Sequence, residues 1–207
     1  MGFWDERVVP RIVDRSCGIS QLDPLRERAC DGLRGQVVEI GFGSGRNIGL
    51  YPAEVTEIIA VEPSDVGWQL SAARRSGSTR PVSRVGLDGA DLPLADASVD
   101  AGLVTFSLCT IPDVEGALAE LRRVLRPGGS IGFLEHGLSP DPGVARWQHR
   151  LDGLQQRLFG GCHLDRDIPR LVEAAGFTLE ALEQSYLPGP SLSRPWGYLS
   201  VGRAVRS

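Results

Sequence analysis

Short apolar runs alternate along the chain with longer amphipathic segments. After a polar N-terminal stretch, residues 36–40 form an apolar run that leads into the glycine-rich turn EIGFGSG. Runs at 57–61, ending in EPS, and at 82–87, ending in DGAD, repeat the pattern, and VDAGLVTFSL at 99–108 is a fourth. Segments of helical length lie between them, one starting at Asn47 and one at 66–75. Such alternation predicts right-handed βαβ units and a parallel sheet. In DVEGALAELRRVLRPGG the apolar Val114, Ala117, Leu118, Leu121, Val124 and Leu125 share one helical face. Asp113 near the start of that helix and Arg122, Arg123 and Arg126 near its end suit the macrodipole, and Pro127, Gly128 and Gly129 stop it. SIGFLEH predicts a fifth strand, RWQHRLDGLQQRLFG a helix leaving the sheet and DIPRLVEAAGF the last helix. TLEALEQ and WGYLSVGRAV predict a closing pair of strands, seven in all, while LPGPSLSRP at 187–195 reads as a loop between them. The fold class is therefore α/β, a doubly wound and mostly parallel sheet of seven strands.

A length of 207 residues suits one such domain, divided here into an N-terminal helical lid region, 1–34, and a catalytic domain, 35–207. Phe3, Trp4 and the helix-like stretch to Asp14 predict a lid over the site. The net charge of −4 offers no general attraction to nucleic acid or anionic lipid, which argues against both as partners. All 22 basic residues are Arg and they are spread along the chain, so they form no dedicated binding stripe. Cys17, Cys30, Cys109 and Cys162 show neither a CxxC pair nor zinc-ligand spacing, which predicts free thiols and no metal. No apolar run approaches the ~20 residues of a membrane span, and the expected location is the cytoplasm.

The chemistry concentrates at the ends of the predicted strands. Gly41, Gly43 and Gly45 follow a buried strand directly, where glycine lets the backbone turn sharply and approach a ligand. The spacing is G-x-G-x-G, with Arg46 where a dinucleotide fingerprint needs glycine. Glu62 ends the second strand, the place where a carboxylate accepts hydrogen bonds from ribose hydroxyls. Asp88, with Gly89, Ala90 and Asp91 beside it, either meets an adenine edge or starts a turn.

The order VVEIGFGSG, VEPS, LDGADLPLADASVD and ELRRVLRPGG resembles the class I S-adenosylmethionine-dependent methyltransferases. That resemblance implies a Rossmann-like fold, S-adenosylmethionine as cofactor and S-adenosylhomocysteine as product. It places Gly41, Gly43 and Gly45 at the methionine part, Glu62 and Pro63 at the ribose, and Asp88, Gly89 and Ala90 at the adenine. Glu39 would orient the loop or the cofactor ammonium, with Asn47 and Ser107 completing the set. GSGRNIGLYP, SLCTIPD, LEH, GCHLDR and VGRAV resemble, more narrowly, the methyltransferase-like thiol S-methyltransferases, whose animal members methylate alkyl thiols or hydrogen sulfide. Tyr51, Pro52, Glu135, His136, Cys162, Leu164 and Arg166 belong to those matches. The animal members also carry an apolar N-terminal anchor, and none is expected here.

These matches imply methyl transfer to a small, fairly apolar acceptor, a thiol or hydrosulfide. The alternatives are O- or C-methylation of a quinone or secondary metabolite, and cofactor binding without turnover. Methyl transfer from a sulfonium is an in-line displacement that requires alignment and water exclusion, and no metal. His136, at the end of strand five, either serves as base or caps the strand end, and Asp91 is the second catalytic candidate. Trp4, Leu108, His136, Trp147, Cys162 and Arg166 are the candidate acceptor-binding residues, Arg166 alternatively forming a structural ion pair. Phe159, Tyr186 and Trp196 either line an apolar pocket or belong to the core. His149 is expected in solvent, and Cys162 and His163, being adjacent, are not expected to aim at one another.

Overall fold

The computed structural model describes residues 4–207, so Phe3 of the predicted lid lies outside the described residues. Strands β1 (Gly35–Ile40), β2 (Val55–Val61), β3 (Val82–Gly86), β4 (Val99–Thr105), β5 (Leu125–His136), β6 (Phe177–Tyr186) and β7 (Tyr198–Arg206) form one sheet. Their order is β3-β2-β1-β4-β5-β7-β6. The first five run parallel and β7 is antiparallel to both β5 and β6. The helices are α1 (Val9–Ser16), α2 (Asp23–Cys30), α3 (Asp65–Leu70), α4 (Ala72–Ser76), α5 (Val114–Val124), α6 (Pro142–Leu158), α7 (Ile168–Ala174) and α8 (Arg194–Gly197).

Strand period two divides the apolar residues between two cores. Val38, Ile40, Ile59, Val61 and Val104 face α5 and α7, meeting Leu118, Leu121 and Val172. Val37, Ile58, Ala60, Ala101 and Leu103 face the other way, toward Leu22, Ala29, Cys30, Leu33, Phe42 and Tyr51. Glu39 has the parity of Val37 and therefore enters this second core. The helices start where short polar side chains accept free N–H groups: Asp113 from Gly116, Asp141 from Gly143 and Ser64 from Gly67. Among the described residues no helix is long and apolar enough to cross a membrane.

Several local expectations change. No helix starts at Asn47: the link from β1 to β2 is a series of turns, because Asn47 and Tyr51 spend their side chains on Glu39. The 66–75 segment breaks into α3 and α4 at Ser71, whose hydroxyl donates to Trp68 O at 2.7 Å. Pro127–Gly129 do not precede the fifth strand; they lie in a register shift within β5, and Arg126, beyond the end of α5, pairs with Asp100. The 187–195 stretch is ordered, with a 3₁₀ turn at Ser191–Ser193 and the start of α8. The N-terminal region also divides. Leu22, Ala29, Cys30 and Leu33 place α2 in the core, so only the part up to about residue 18 is available as a lid.

Candidate active site

The carboxyl ends of β1, β2 and β4 converge on the glycine turn. Gly41, Gly43 and Gly45 all have positive φ, but for different reasons. A Cβ on Gly41 would fall on Ser107 Oγ, and one on Gly45 would press on Ile48 and Phe42. At Gly43 a Cβ would find nothing nearer than Gly41 O, 3.9 Å away. Gly43 is thus the glycine that faces open space, where a ligand can approach the backbone. Glu62 is buried beside it, accepting from Gly43 N at 2.5 Å and Ser64 N at 2.7 Å. Burial raises its pKa against the opposing pull of those bonds and of Arg84. Pro63 follows on the surface, while Asp88 is exposed and accepts from Ala90 N at 2.9 Å. Gly89 is packing-critical, since a Cβ there would meet Ile40 at 2.8 Å.

Behind the turn lies a buried polar network. Glu39 accepts from Asn47 Nδ2 (2.7 Å) and Tyr51 OH (2.6 Å), and Asn47 Oδ1 accepts from Arg26 Nη1 (2.8 Å). Thr105 Oγ1 joins Arg26 and Asn47, at 3.1 and 3.0 Å. Glu39 therefore orients the loop through Asn47. Its carboxyl is pushed up to about 7 by burial, against the hydrogen bonds that favour its charge. The proton is held more tightly in the folded than in the unfolded chain, so this group's contribution to stability is full below its unfolded pKa and is lost as pH rises toward about 7. Wild type minus Glu39→Gln, compared by urea denaturation, is expected to lose stability between about pH 5 and pH 7. A pH-independent difference contradicts the burial account.

The turn after β4 is strained and then clamped. Phe106 has a φ of 54°, an unusual conformation for a bulky residue, costing roughly 1–3 kcal/mol. Fully buried Glu135 accepts from the N–H groups of Ser107 (2.7 Å), Leu108 (3.0 Å) and Cys109 (3.3 Å). Arg166 donates to Leu108 O and to Ile111 O and so holds this turn, and among the described residues it forms no ion pair with a carboxylate. His136 Nε2 lies 3.0 Å from Cys162 Sγ, which in turn contacts Cys109 Sγ at 3.8 Å. Burial disfavours the charged imidazole, yet Cys162 and the charges of Glu135 and Asp152 raise its pKa overall. The bond to Cys109 and burial push the Cys162 thiol up. His136 Nδ1 is buried and, among the described residues, has no hydrogen-bond partner. His163, as expected, turns away from Cys162, toward Gln156 and Asp152.

Other candidates are not brought to this place. Trp147 is 55% exposed with Arg150 over its ring, so it lines no buried pocket. Asp91 is exposed, and among the described residues its side chain makes no hydrogen bond. His149 is exposed but pairs with Asp165 at 2.8 Å. Trp196 bonds Gln155, and Tyr186 bonds Ser139 and packs on Tyr198. Trp4 donates to Leu158 O at 3.1 Å, tying the N-terminus to α6. Arg26, Thr105 and Cys109 were not singled out as site residues; Arg26 in DPLRERAC reads as a solvent-facing helical residue, and nothing local marks its burial.

A glycine facing open space beside a buried carboxylate, on the carboxyl edge of this sheet order, fits S-adenosylmethionine and defines a class I methyltransferase site. Residues 38–133 match the methyltransferase-domain family. Thiol S-methyltransferase TMT1B of Rattus norvegicus is 30% identical over 176 residues, covering 82% of this chain and 70% of that protein. TMT1A of Homo sapiens is 31% identical over 168 residues, 79% of this chain and 68% of the relative. The chain belongs to the methyltransferase-like thiol S-methyltransferase family, and it is an S-adenosylmethionine-dependent methyltransferase. A demethylmenaquinone methyltransferase of Clavibacter sepedonicus is 32% identical over 111 residues, 54% of this chain and 45% of that protein. In structure, a geranyl diphosphate methyltransferase solved with its methyl donor superposes with a TM-score of 0.70 at 14% identity, covering 96% of this chain and 90% of that one. The [4+2]-cyclase SpnF reaches 0.67 at 21% identity, over 89% and 80%. These structures share the fold, which by itself does not decide the reaction.

Glu62→Ala is expected to weaken S-adenosylmethionine binding by about 1.5–3 kcal/mol, the range for hydrogen bonds to a charged group. Titration calorimetry reads this directly, and unchanged affinity removes Glu62 from the cofactor site.

Proposed function

We propose that the protein methylates a small thiol or hydrosulfide. The observation that carries this reading is the relation to two thiol S-methyltransferases over about four-fifths of the chain. Bound S-adenosylmethionine supplies an electrophilic methyl carbon; the chain has to align a nucleophile with it and exclude water. Gly43 and Glu62 hold the donor, Asp88 with Gly89 and Ala90 flanks its adenine, and Ser107, packed against Gly41, joins donor to acceptor side. The clamped turn at Leu108, with His136 and Cys162, forms the acceptor side. A thiol needs little activation, since an unperturbed pKa near ~8.5 leaves a few per cent thiolate at neutral pH.

The segment before residue 19 acts in this reading as the lid. Asp14 accepts from Ser44 Oγ (2.5 Å) and Arg46 Nε (2.9 Å) on the glycine turn, and Arg46 Nη2 donates to Asp14 O at 2.8 Å. Burial opposes ionisation of Asp14, but those bonds hold its carboxyl below the usual range. Arg46 thus serves the latch at the position that departs from the dinucleotide fingerprint.

The expected result is a kcat/KM for an alkyl thiol at least about 100-fold above that for the matched alcohol, as the thiolate is the available nucleophile. S-adenosylhomocysteine formation measures it. Brisk methylation of a demethylated quinol with no thiol turnover would favour the reading that the demethylmenaquinone methyltransferase relative supports.

A further inference from the structure

We propose that Cys109 Sγ, Cys162 Sγ and His136 Nε2 bind a thiophilic divalent cation of the zinc class, with the fourth position left to a non-protein ligand. These three atoms lie within 4.8 Å of one another. Two sulfurs each ~2.3 Å from a tetrahedral zinc are about 3.8 Å apart. The observed sulfur–sulfur distance is 3.8 Å, already one edge of that tetrahedron. A sulfur–nitrogen edge is about 3.5 Å, so the imidazole has to withdraw from its 3.0 Å contact with Cys162 by roughly 0.5 Å.

The ligands come from three separate elements, each pinned without help from an ion. Cys109 N–H is held by Glu135, and Cys109 O accepts from His163 N at 2.8 Å, fixing the two cysteine-bearing segments against each other. His136 pairs with Leu199 at the end of the β5–β7 ladder. Ordering these groups therefore costs little on binding. Charge also balances: two thiolates and a dication sum to zero, which suits a buried place where a thiolate alone is disfavoured. Two cysteines 53 residues apart and a histidine 26 residues from one of them have no recognisable ligand spacing, so the sequence pattern points away from a metal while the fold assembles one.

Three protein ligands with one open position is the arrangement of a working site rather than a closed structural one. On the thiol reading proposed above, the fourth ligand is the acceptor sulfur. Its S–H proton leaves to solvent, the sulfur lone pair forms the new bond to the methyl carbon, and the bond from that carbon to the donor sulfonium breaks.

Cobalt(II) titration of the full-length, reduced, metal-free protein, without methyl donor or acceptor, tests the site itself. One cobalt per chain is expected, with a thiolate-to-cobalt charge-transfer band and tetrahedral visible bands that zinc abolishes. Cys162→Ser and His136→Gln should weaken uptake at least about 100-fold, since even the loss of a supporting partner costs 10–100-fold, whereas Cys30→Ser should retain it. Should the site variants fail to fold, wild-type alkylation replaces them: zinc should slow modification of Cys109 and Cys162 and leave that of Cys17 unchanged. No tetrahedral thiolate spectrum in wild type, an unaltered spectrum in Cys162→Ser, or alkylation indifferent to zinc overturns the proposal. A failure here leaves thiol methylation standing, and absent thiol turnover leaves the cation site standing.

Discussion

Gly43→Val is expected to reduce S-adenosylmethionine affinity by at least roughly 100-fold while the protein still folds. The argument rests on two features of one residue. Its φ of 55° is strained for any side chain with a Cβ, and worst for a β-branched one. The space its Cβ would take is open, which is why the ligand rather than the fold suffers. Strain of about 1–3 kcal/mol is survivable for a domain with the usual 5–15 kcal/mol of stability. The corresponding change at Gly41 is different in kind, since a side chain there would collide with Ser107 and displace the turn after β4. Calorimetry and thermal melting of both variants separate the cases. Normal binding by Gly43→Val would assign the glycine to loop geometry alone.

The other large effect is expected at His136. His136→Ala should lower kcat for a thiol acceptor by about 10²-fold or more, with cofactor affinity changed less than about twofold. Raising the pH toward the acceptor's own pKa, ~8.5 for an ordinary thiol, should restore part of the rate, because bulk ionisation then supplies the thiolate. The recovery belongs to the acceptor and holds whether His136 takes the proton directly or holds a cation. A variant with wild-type kcat removes His136 from the acceptor side; an equal loss of kcat and donor binding makes it a structural residue of β5.

What could be read from the residues, and what could not, follows from the range of the forces involved. Alternation of apolar runs is a local property, so β1 to β5 and the reversed pair β6–β7 were legible from period and punctuation. The positions of Glu62 and the glycine turn were legible because both follow directly on strand ends. The missing helix after Asn47 was not, because its cause is long-range: a buried Glu39 that captures Asn47 and Tyr51. Arg26 was hidden for a similar reason. Its guanidinium joins Asn47, Thr105 and Cys17 O from a helix whose composition is that of an exposed one. The grouping of Cys109, His136 and Cys162 is a tertiary fact with no trace in spacing. The boundary at residue 34 shifts for the same kind of reason, since Leu22, Ala29, Cys30 and Leu33 give residues 19–34 enough apolar surface to join the core.

Arg166 carries a related lesson. Its position in a matched motif suggested contact with an acceptor or a carboxylate, yet its donors go to carbonyls of the Leu108–Ile111 turn. Together with the three N–H groups on Glu135, these bonds offset the strain at Phe106 and fix where the acceptor side begins. Arg166 and Glu135 thus shape the turn that carries Leu108 and Cys109.

The central claim, transfer of a methyl group from S-adenosylmethionine to sulfur, is tested most directly by product analysis with a methyl-deuterated donor. The purified protein is incubated with that donor and an equimolar mixture of an alkyl thiol, the matched alcohol and a demethylated quinol, and the products are resolved by mass spectrometry. The account predicts the intact deuterated methyl group in the alkyl methyl sulfide, with a matching amount of S-adenosylhomocysteine. Label confined to the quinol or the alcohol, with no labelled sulfide, would contradict it.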